Sequence, residues 1–340
     1  MAHRRRGRRL VAAGTTVAVL LLAGCGASTR SATPTSQAAT TTKAARSQAD
    51  FSGLVDIGAN RAMYMECHGS GTPTVVLISG AGGSANDWSR SLDPAKPGPT
   101  VFADVAKSTR VCAYDRPGTI TPTETYFEKS RSTPVRQPTL PSDGVSDLHA
   151  MLTTAHEQGP FVLVAHSFGG LIARLYASTY PDDVAGLVLI DALSEEYLNG
   201  LTPEQWNTNM RLNETVSKDV RAEYPYYEQS DWLRSFEELR AARPLRAMPV
   251  IVLSADKPFD FEAMKAQGVL PPDTPSDFGD AQGRAQARSQ GFLASIVPYA
   301  KHVTKTNSGH YIQIEQPQLV IDSILAVVDD VRHARPQAAG

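Results

Sequence analysis

Five short, almost wholly apolar runs constrain this chain more than any other feature: TVVLIS (74–79), RVCAY (110–114), FVLVA (161–165), LVLI (187–190) and VIVL (250–253). A continuous apolar run of that length is the pattern of a strand buried on both faces of a parallel sheet. A weaker run covers 300–304, and 61–67 alternates roughly like a strand. Helical patterns at 142–157, 169–180 and 318–332 lie between and after these runs. Strand and helix patterns in alternation imply a mainly parallel sheet flanked by helices. No internal repeat is visible.

Two segments break the alternation. Residues 115–141 are rich in Pro and Thr and read as a long excursion. Residues 192–248 are helical in flavour and carry Tyr197, Trp206, Tyr224, Tyr226, Tyr227, Trp232 and Phe236. Insertions of that length between strands commonly act as lids over a site. The same aromatics could instead pack a small core of their own, and both readings can hold.

The N-terminus differs from the rest. Arg4, Arg5, Arg6, Arg8 and Arg9 precede an apolar stretch at 10–22 that is too short and too interrupted for a comfortable membrane span. It ends in LAGC (22–25), which resembles the bacterial lipobox. That resemblance implies removal of the segment before Cys25 and lipidation of Cys25, with a plain secretory signal as the alternative. Arg8 and Arg9 fit a twin-arginine signal poorly. The Ser/Thr/Ala/Gln-rich stretch that follows has no apolar periodicity and reads as a disordered tether. The expected organisation is a signal peptide at 1–25, a tether at 26–50 and one α/β domain at 51–335. Once the N-terminus is set aside, a formal net charge of −2 leaves no basic excess, which speaks against a nucleic-acid partner. The expected location is the extracytoplasmic face of the cell membrane, held by lipid, or secreted in the alternative reading.

The sharpest chemical signal is FVLVAHSFGGLIARLYA (161–177). A buried strand runs into Ala165, His166, Ser167, Phe168 and Gly169, then into a helix. This is a nucleophile elbow, with Ala165 where G-x-S-x-G has its first glycine. Small residues two before and two after Ser167 let the backbone turn tightly, and the helix N-terminus favours developing negative charge. A serine hydroxyl needs a base. His310, in a loop beside Gly309, is the candidate. His166 adjoins the serine at a turn that points it elsewhere, and His302 sits within a strand pattern where it packs. His68, His149 and His156 read as surface or structural. The carboxylate that orients the base is Asp191, which abuts its strand, or alternatively Asp256, set back by Ser254 and Ala255. The oxyanion hole requires two N–H donors. Phe168 supplies one, and Ala81, in the glycine-rich SGAGGS (79–84), is the candidate for the other. No GxxxxGK[ST] pattern accompanies those glycines, which removes a phosphate-loop reading.

The tokens VVLISGAGG, CAYDRPG, VLVAHSFGGLIARLYASTYPDDVAGLVLID and SGHYIQIEQP resemble the α/β-hydrolase superfamily, over roughly residues 53–333. They are similar to bacterial lipoprotein esterases and lipases. The resemblance implies the α/β-hydrolase fold with a helical lid, and acyl-enzyme cleavage of carboxylic esters by Ser167, His310 and an aspartate. The expected substrate is a small-molecule ester with an apolar acyl or aromatic part, and no metal or organic cofactor is implied. A serine at the elbow speaks against dehalogenase or epoxide hydrolase chemistry, which uses a carboxylate there in this family. Thioesterase, amidase, C–C hydrolase or acyltransferase chemistry on the same residues stays open, as does a non-catalytic binding role. The turn Asp115, Arg116, Pro117, Gly118 is structural by the same resemblance. In the family's sheet order the second strand lies antiparallel beside the fourth. Those strands hold Cys67 and Cys112, which implies a disulfide, with two buried free thiols as the alternative.

Overall fold

The computed structural model describes residues 49–93, 95, 98–123 and 126–334, without the side chain of residue 216. The expected signal peptide, Cys25 and nearly all of the expected tether lie outside the described residues. The strands are β1 (Phe51–Gly58), β2 (Arg61–His68), β3 (Val75–Ile78), β4 (Val111–Tyr114), β5 (Ile120–Pro122), β6 (Phe127–Lys129), β7 (Phe161–His166), β8 (Val184–Ile190), β9 (Val250–Leu253) and β10 (Lys301–Val303). The helices are α1 (Val101–Val105), α2 (Pro141–Thr154), α3 (Gly169–Thr179), α4 (Glu196–Asn199), α5 (Pro203–Glu223), α6 (Trp232–Ala241), α7 (Phe261–Ala266), α8 (Phe278–Leu293), α9 (Ile312–Glu315) and α10 (Pro317–His333).

Eight strands form one sheet in the order β1-β2-β4-β3-β7-β8-β9-β10, and β5 pairs with β6 in a separate ribbon. The β1–β2 and β2–β4 pairings are antiparallel, and those from β4 to β10 are parallel. The apolar runs form the centre because both sheet faces are covered. In β3, Val76 and Ile78 face a core shared with α2, α3 and α6, whereas Val75 and Leu77 face one shared with α1 and α10. A fully buried aliphatic side chain of this kind contributes about 1.5–3 kcal/mol. Cys67 pairs with Cys112 across β2 and β4, and a disulfide joins them.

Edge strand β1 has only Val55 buried, so no apolar run marks it. The chain between β9 and β10 carries α7 and α8, a second inserted helical segment that the sequence pattern does not announce. No helix among the described residues is long and apolar enough to cross a membrane.

Candidate active site

The loops after β3, β7, β8, β9 and β10 converge at the carboxyl ends of the parallel strands, where open α/β sheets gather their functional groups. Ser167 directly follows β7, at a φ of +50°. That left-handed conformation is strained for serine and is held from several sides. Its N–H donates to the Ile190 carbonyl (3.1 Å), and its own carbonyl accepts from Gly170 (3.0 Å) and Leu193 (2.9 Å). Close packing sets the neighbouring residues. A Cβ at Gly169 would lie 2.5 Å from the Ile78 carbonyl oxygen, and one at Gly80 would lie 3.1 Å from the Ser167 Cβ. Glycine at both positions lets the β3 loop lie directly against the serine.

His310 and Asp191 are joined: His310 Nδ1 donates to Asp191 Oδ2 at 2.6 Å. Asp191, with a φ of +38°, is 3% exposed. Its Oδ1 accepts the Ala255 N–H (3.1 Å) and its own N–H donates to Leu253 (2.7 Å). Burial pushes the Asp191 carboxyl up, but the hydrogen bond and charge of His310 outweigh it and hold it below the usual carboxylate range. Asp256 has different partners. It accepts the N–H groups of Ser308 (2.9 Å) and Asn307 (3.1 Å), which hold its carboxyl low, and it clamps the loop that carries His310. Ser167, Asp191 and His310 line one cavity of about 520 Å³. Among the described residues the Ser167 hydroxyl makes no hydrogen bond, to His310 or otherwise.

The other histidines divide by environment. His166 is buried and its Nε2 donates to the His310 carbonyl (2.9 Å). Burial, then the neighbouring His310 charge, pushes its pKa down to about 3, so it stays neutral. His302 does not pack as expected: it lies on the exposed side of β10, lines the cavity and meets Ser254 Oγ at 2.8 Å. The strand is short and at the sheet's edge, which leaves that side open. His149 stacks on Tyr180 at 3.9 Å and His68 tilts against Phe102 at 5.1 Å, both structural contacts. His156 follows α2 at a φ of +57°.

Neither the Ala81 nor the Phe168 amide donates a hydrogen bond among the described residues; Phe168 follows the serine, and Ala81 follows Gly80, which packs against it. The loop bearing Ala81 is pinned by a pair that the sequence does not connect. Buried Arg116 donates to the Ser79 (2.8 Å) and Gly80 (2.6 Å) carbonyls and pairs with Glu228 at 2.6 Å. Glu228 in turn accepts the Gly82 N–H (2.7 Å). Removing one member of such a buried pair costs about 3–5 kcal/mol, because the other charge is left unpaired. The turn at Arg116 therefore supports the loop, and Glu228, from the 192–248 insertion, completes the support. No sequence signal marks Glu228, since only tertiary contact gives it meaning.

The insertion supplies Tyr197, Trp206, Trp232 and Phe236 to the cavity wall. Phe236 also belongs to the main core, and Trp232 meets Phe168 edge-on at 5.7 Å. Tyr224 and Tyr226 contact each other instead, and Tyr227 covers Gly82. Phe236, Trp206 and Trp232 thus both line the cavity and pack with the main core. Helix α8 also lines the cavity, through Gln282, Gln286 and Gln290, a repeat at every fourth residue that could have flagged a helix face. Metal-ligand spacing occurs among the described residues at Cys67, Cys112 and Glu157. There the sulfurs are joined to each other and Glu157 is held by Arg110 at 2.7 Å, so none is available to a metal.

This architecture defines a hydrolase-type open α/β sheet with its elbow at the strand carboxyl ends. Residues 75–323 match the family model described as the alpha/beta hydrolase family, and the chain belongs to that family. It is 27% identical to YqjL of Bacillus subtilis over 189 residues, covering 55% of this chain and 63% of that protein. It is 29% identical over 181 residues to RutD of Yersinia enterocolitica, a carbamate hydrolase by assignment, covering 50% of this chain and 55% of RutD. The chain thus spans less than two thirds of the length of either curated relative. Among solved structures it is similar to the haloalkane dehalogenase DatA from Agrobacterium tumefaciens C58, with a TM-score of 0.54 and 14% identity over 83% of this chain and 97% of that one. A chain from Acinetobacter baumannii AYE, assigned as a lipase, gives 0.50 and 18% over 84% and 93%. At such identities the likeness shows the fold.

Proposed function

We propose that this protein is a serine hydrolase that cleaves small-molecule carboxylic esters through an acyl-enzyme. The observation that carries the reading is the 2.6 Å bond from His310 Nδ1 to buried Asp191, on the cavity that Ser167 also lines. With Nδ1–H committed to Asp191, His310 presents Nε2 as the base. It takes the Ser167 proton as the hydroxyl attacks the ester carbonyl. The amides of Phe168 and Ala81 receive the oxyanion, the alcohol leaves with the proton from His310, and water repeats the cycle on the acyl-enzyme. Catalytic hydrogen bonds are often long without substrate and tighten in the Michaelis complex, which suits the unbonded Ser167 hydroxyl. Asp256 acts by holding the His310 loop. DatA is named a dehalogenase, but Ser167 is not the carboxylate which that chemistry needs in this fold.

The same proposal places the chain outside the cytoplasm, anchored through lipid on Cys25. The arginine-rich start and the LAGC motif support it. So does the Cys67–Cys112 disulfide, since such bonds persist in oxidising compartments. Expression in a bacterial host with labelled palmitate should give a labelled, membrane-bound chain that loses both properties in Cys25→Ala.

The test of the activity is a panel of p-nitrophenyl esters, from short to long acyl chains, with a matched carbamate. Wild type should turn over at least the short esters, and Ser167→Ala should reduce the rate to background. A well-folded wild type inert on every member would remove the esterase reading.

A further inference from the structure

Helix α8 turns an unusual face toward the cavity. Gly279, Gln282, Gly283, Gln286, Ala287 and Gln290 all line it, at alternating steps of three and one that keep them on one stripe. The small members keep the space open: a Cβ at Gly283 would meet nothing within 4 Å. The glutamines differ in how far they are engaged. Gln290 is engaged at both ends of its amide, donating to the Ala192 carbonyl (2.6 Å) and accepting from Ser254 (3.3 Å). Gln286 donates to the Asp191 carbonyl (3.2 Å), which leaves its amide oxygen unbonded among the described residues. Gln282 interacts with the Tyr197 hydroxyl. Helix α5 adds Asn209, which accepts from Tyr197 (3.4 Å), and Asn213, which donates to the Asn209 carbonyl (3.0 Å). The rings of Trp206, Trp232 and Phe236 line the same cavity.

An alkyl chain filling this space would strip water from several half-used amides without replacing their hydrogen bonds. A group with flat or apolar faces and hydrogen-bonding edges satisfies both kinds of lining at once. We infer that the non-reacting part of the substrate is a ring or short chain bearing several hydroxyl or amide groups, as in a sugar ester, held by the rings of Trp206, Trp232 and Phe236 and by the amides of α5 and α8. This rests on the serine-hydrolase reading. It departs from the expectation of an apolar acyl or aromatic part, because an aromatic count does not register the glutamines that α8 brings to the cavity.

Two matched pairs test it on the wild-type chain. One compares glucose monobutyrate with hexyl butyrate, by acid release. The other compares the p-nitrophenyl ester of N-acetyl-β-alanine with p-nitrophenyl hexanoate. In at least one pair kcat/KM should favour the polar member by about tenfold or more, the scale reached when a site is built to hydrogen-bond its substrate. That preference should fall by about the same factor in Gln282→Leu and in Asn209→Leu. Thermal unfolding and active-site titration with a fluorophosphonate establish that each variant is folded. Preference for the apolar member in both pairs, or a polar preference that survives both substitutions, overturns the inference while leaving the hydrolase intact. No turnover of any ester and no fluorophosphonate adduct at Ser167 would instead remove the underlying reading, and this one with it.

Discussion

Two aspartates follow two adjacent parallel strands, and their hydrogen bonds give them different work. Asp191 meets the imidazole; Asp256 meets the backbone amides of Asn307 and Ser308. Asp191→Asn removes the carboxylate that fixes the His310 tautomer, and kcat should fall by about 10³–10⁴-fold. Asp256→Asn loosens the loop and should cost about tenfold or less, with most of its effect on stability. Steady-state kinetics on one short ester checks both. Asp87, 8% exposed beneath the Gly80–Gly83 loop, carries a different signature. Burial raises its pKa from 3.8 to about 6, against the pull of Arg90 and Arg116. The folded chain therefore keeps a proton between about pH 4 and 6 that the unfolded chain releases, so stability falls as pH rises through that window. Asp87→Asn should match wild type near pH 4 and exceed it above pH 6, by roughly 3 kcal/mol at most. Urea unfolding at the two pH values reads the difference. At this scale Ser167 and His310 stood out because an elbow and a glycine-flanked loop have local signatures, whereas Asp191 and Asp256 both sit at strand ends and the sequence left the choice between them open. Glu228 was not, because its partners Arg116 and Gly82 lie far away in sequence.

Among the elements, legibility followed burial. The strands β3, β4, β7, β8 and β9 are covered on both faces and therefore write continuous apolar runs into the sequence. Helix α8 writes no such stripe, since one of its faces lines a cavity with glutamine and glycine. It also keeps glycines where packing does not demand them. Gly291 is exposed in its last turns, and a Cβ there would meet nothing within 4 Å. Gly291→Ala should thus raise stability by about 0.5–1 kcal/mol, seen as a higher urea midpoint with unchanged slope. The β2–β4 pair is tied by Cys67 and Cys112, which close a loop with a sequence separation of 45. Replacing both with alanine should cost about 2–4 kcal/mol, with reducing agent then lowering the melting temperature of wild type and not of the variant.

At the level of the whole molecule, the site is a convergence. The sheet supplies the reacting groups at its strand ends, and two inserted segments, after β8 and after β9, supply the walls of the cavity. One of them also reaches back through Glu228 to brace the β3 loop, so the 192–248 insertion both shapes the cavity and supports the proposed oxyanion donors. The first insertion was legible from its length and aromatics; the second was hidden by its polarity. The central claim is that Ser167 is a nucleophile activated by His310, and the most direct measurement is labelling with a fluorophosphonate followed by peptide mass spectrometry. Wild type should carry one adduct, on Ser167. Ser167→Ala should carry none, and His310→Ala should label slower by about 10³-fold or more. An adduct on another residue, or labelling at an undiminished rate in His310→Ala, would contradict the account.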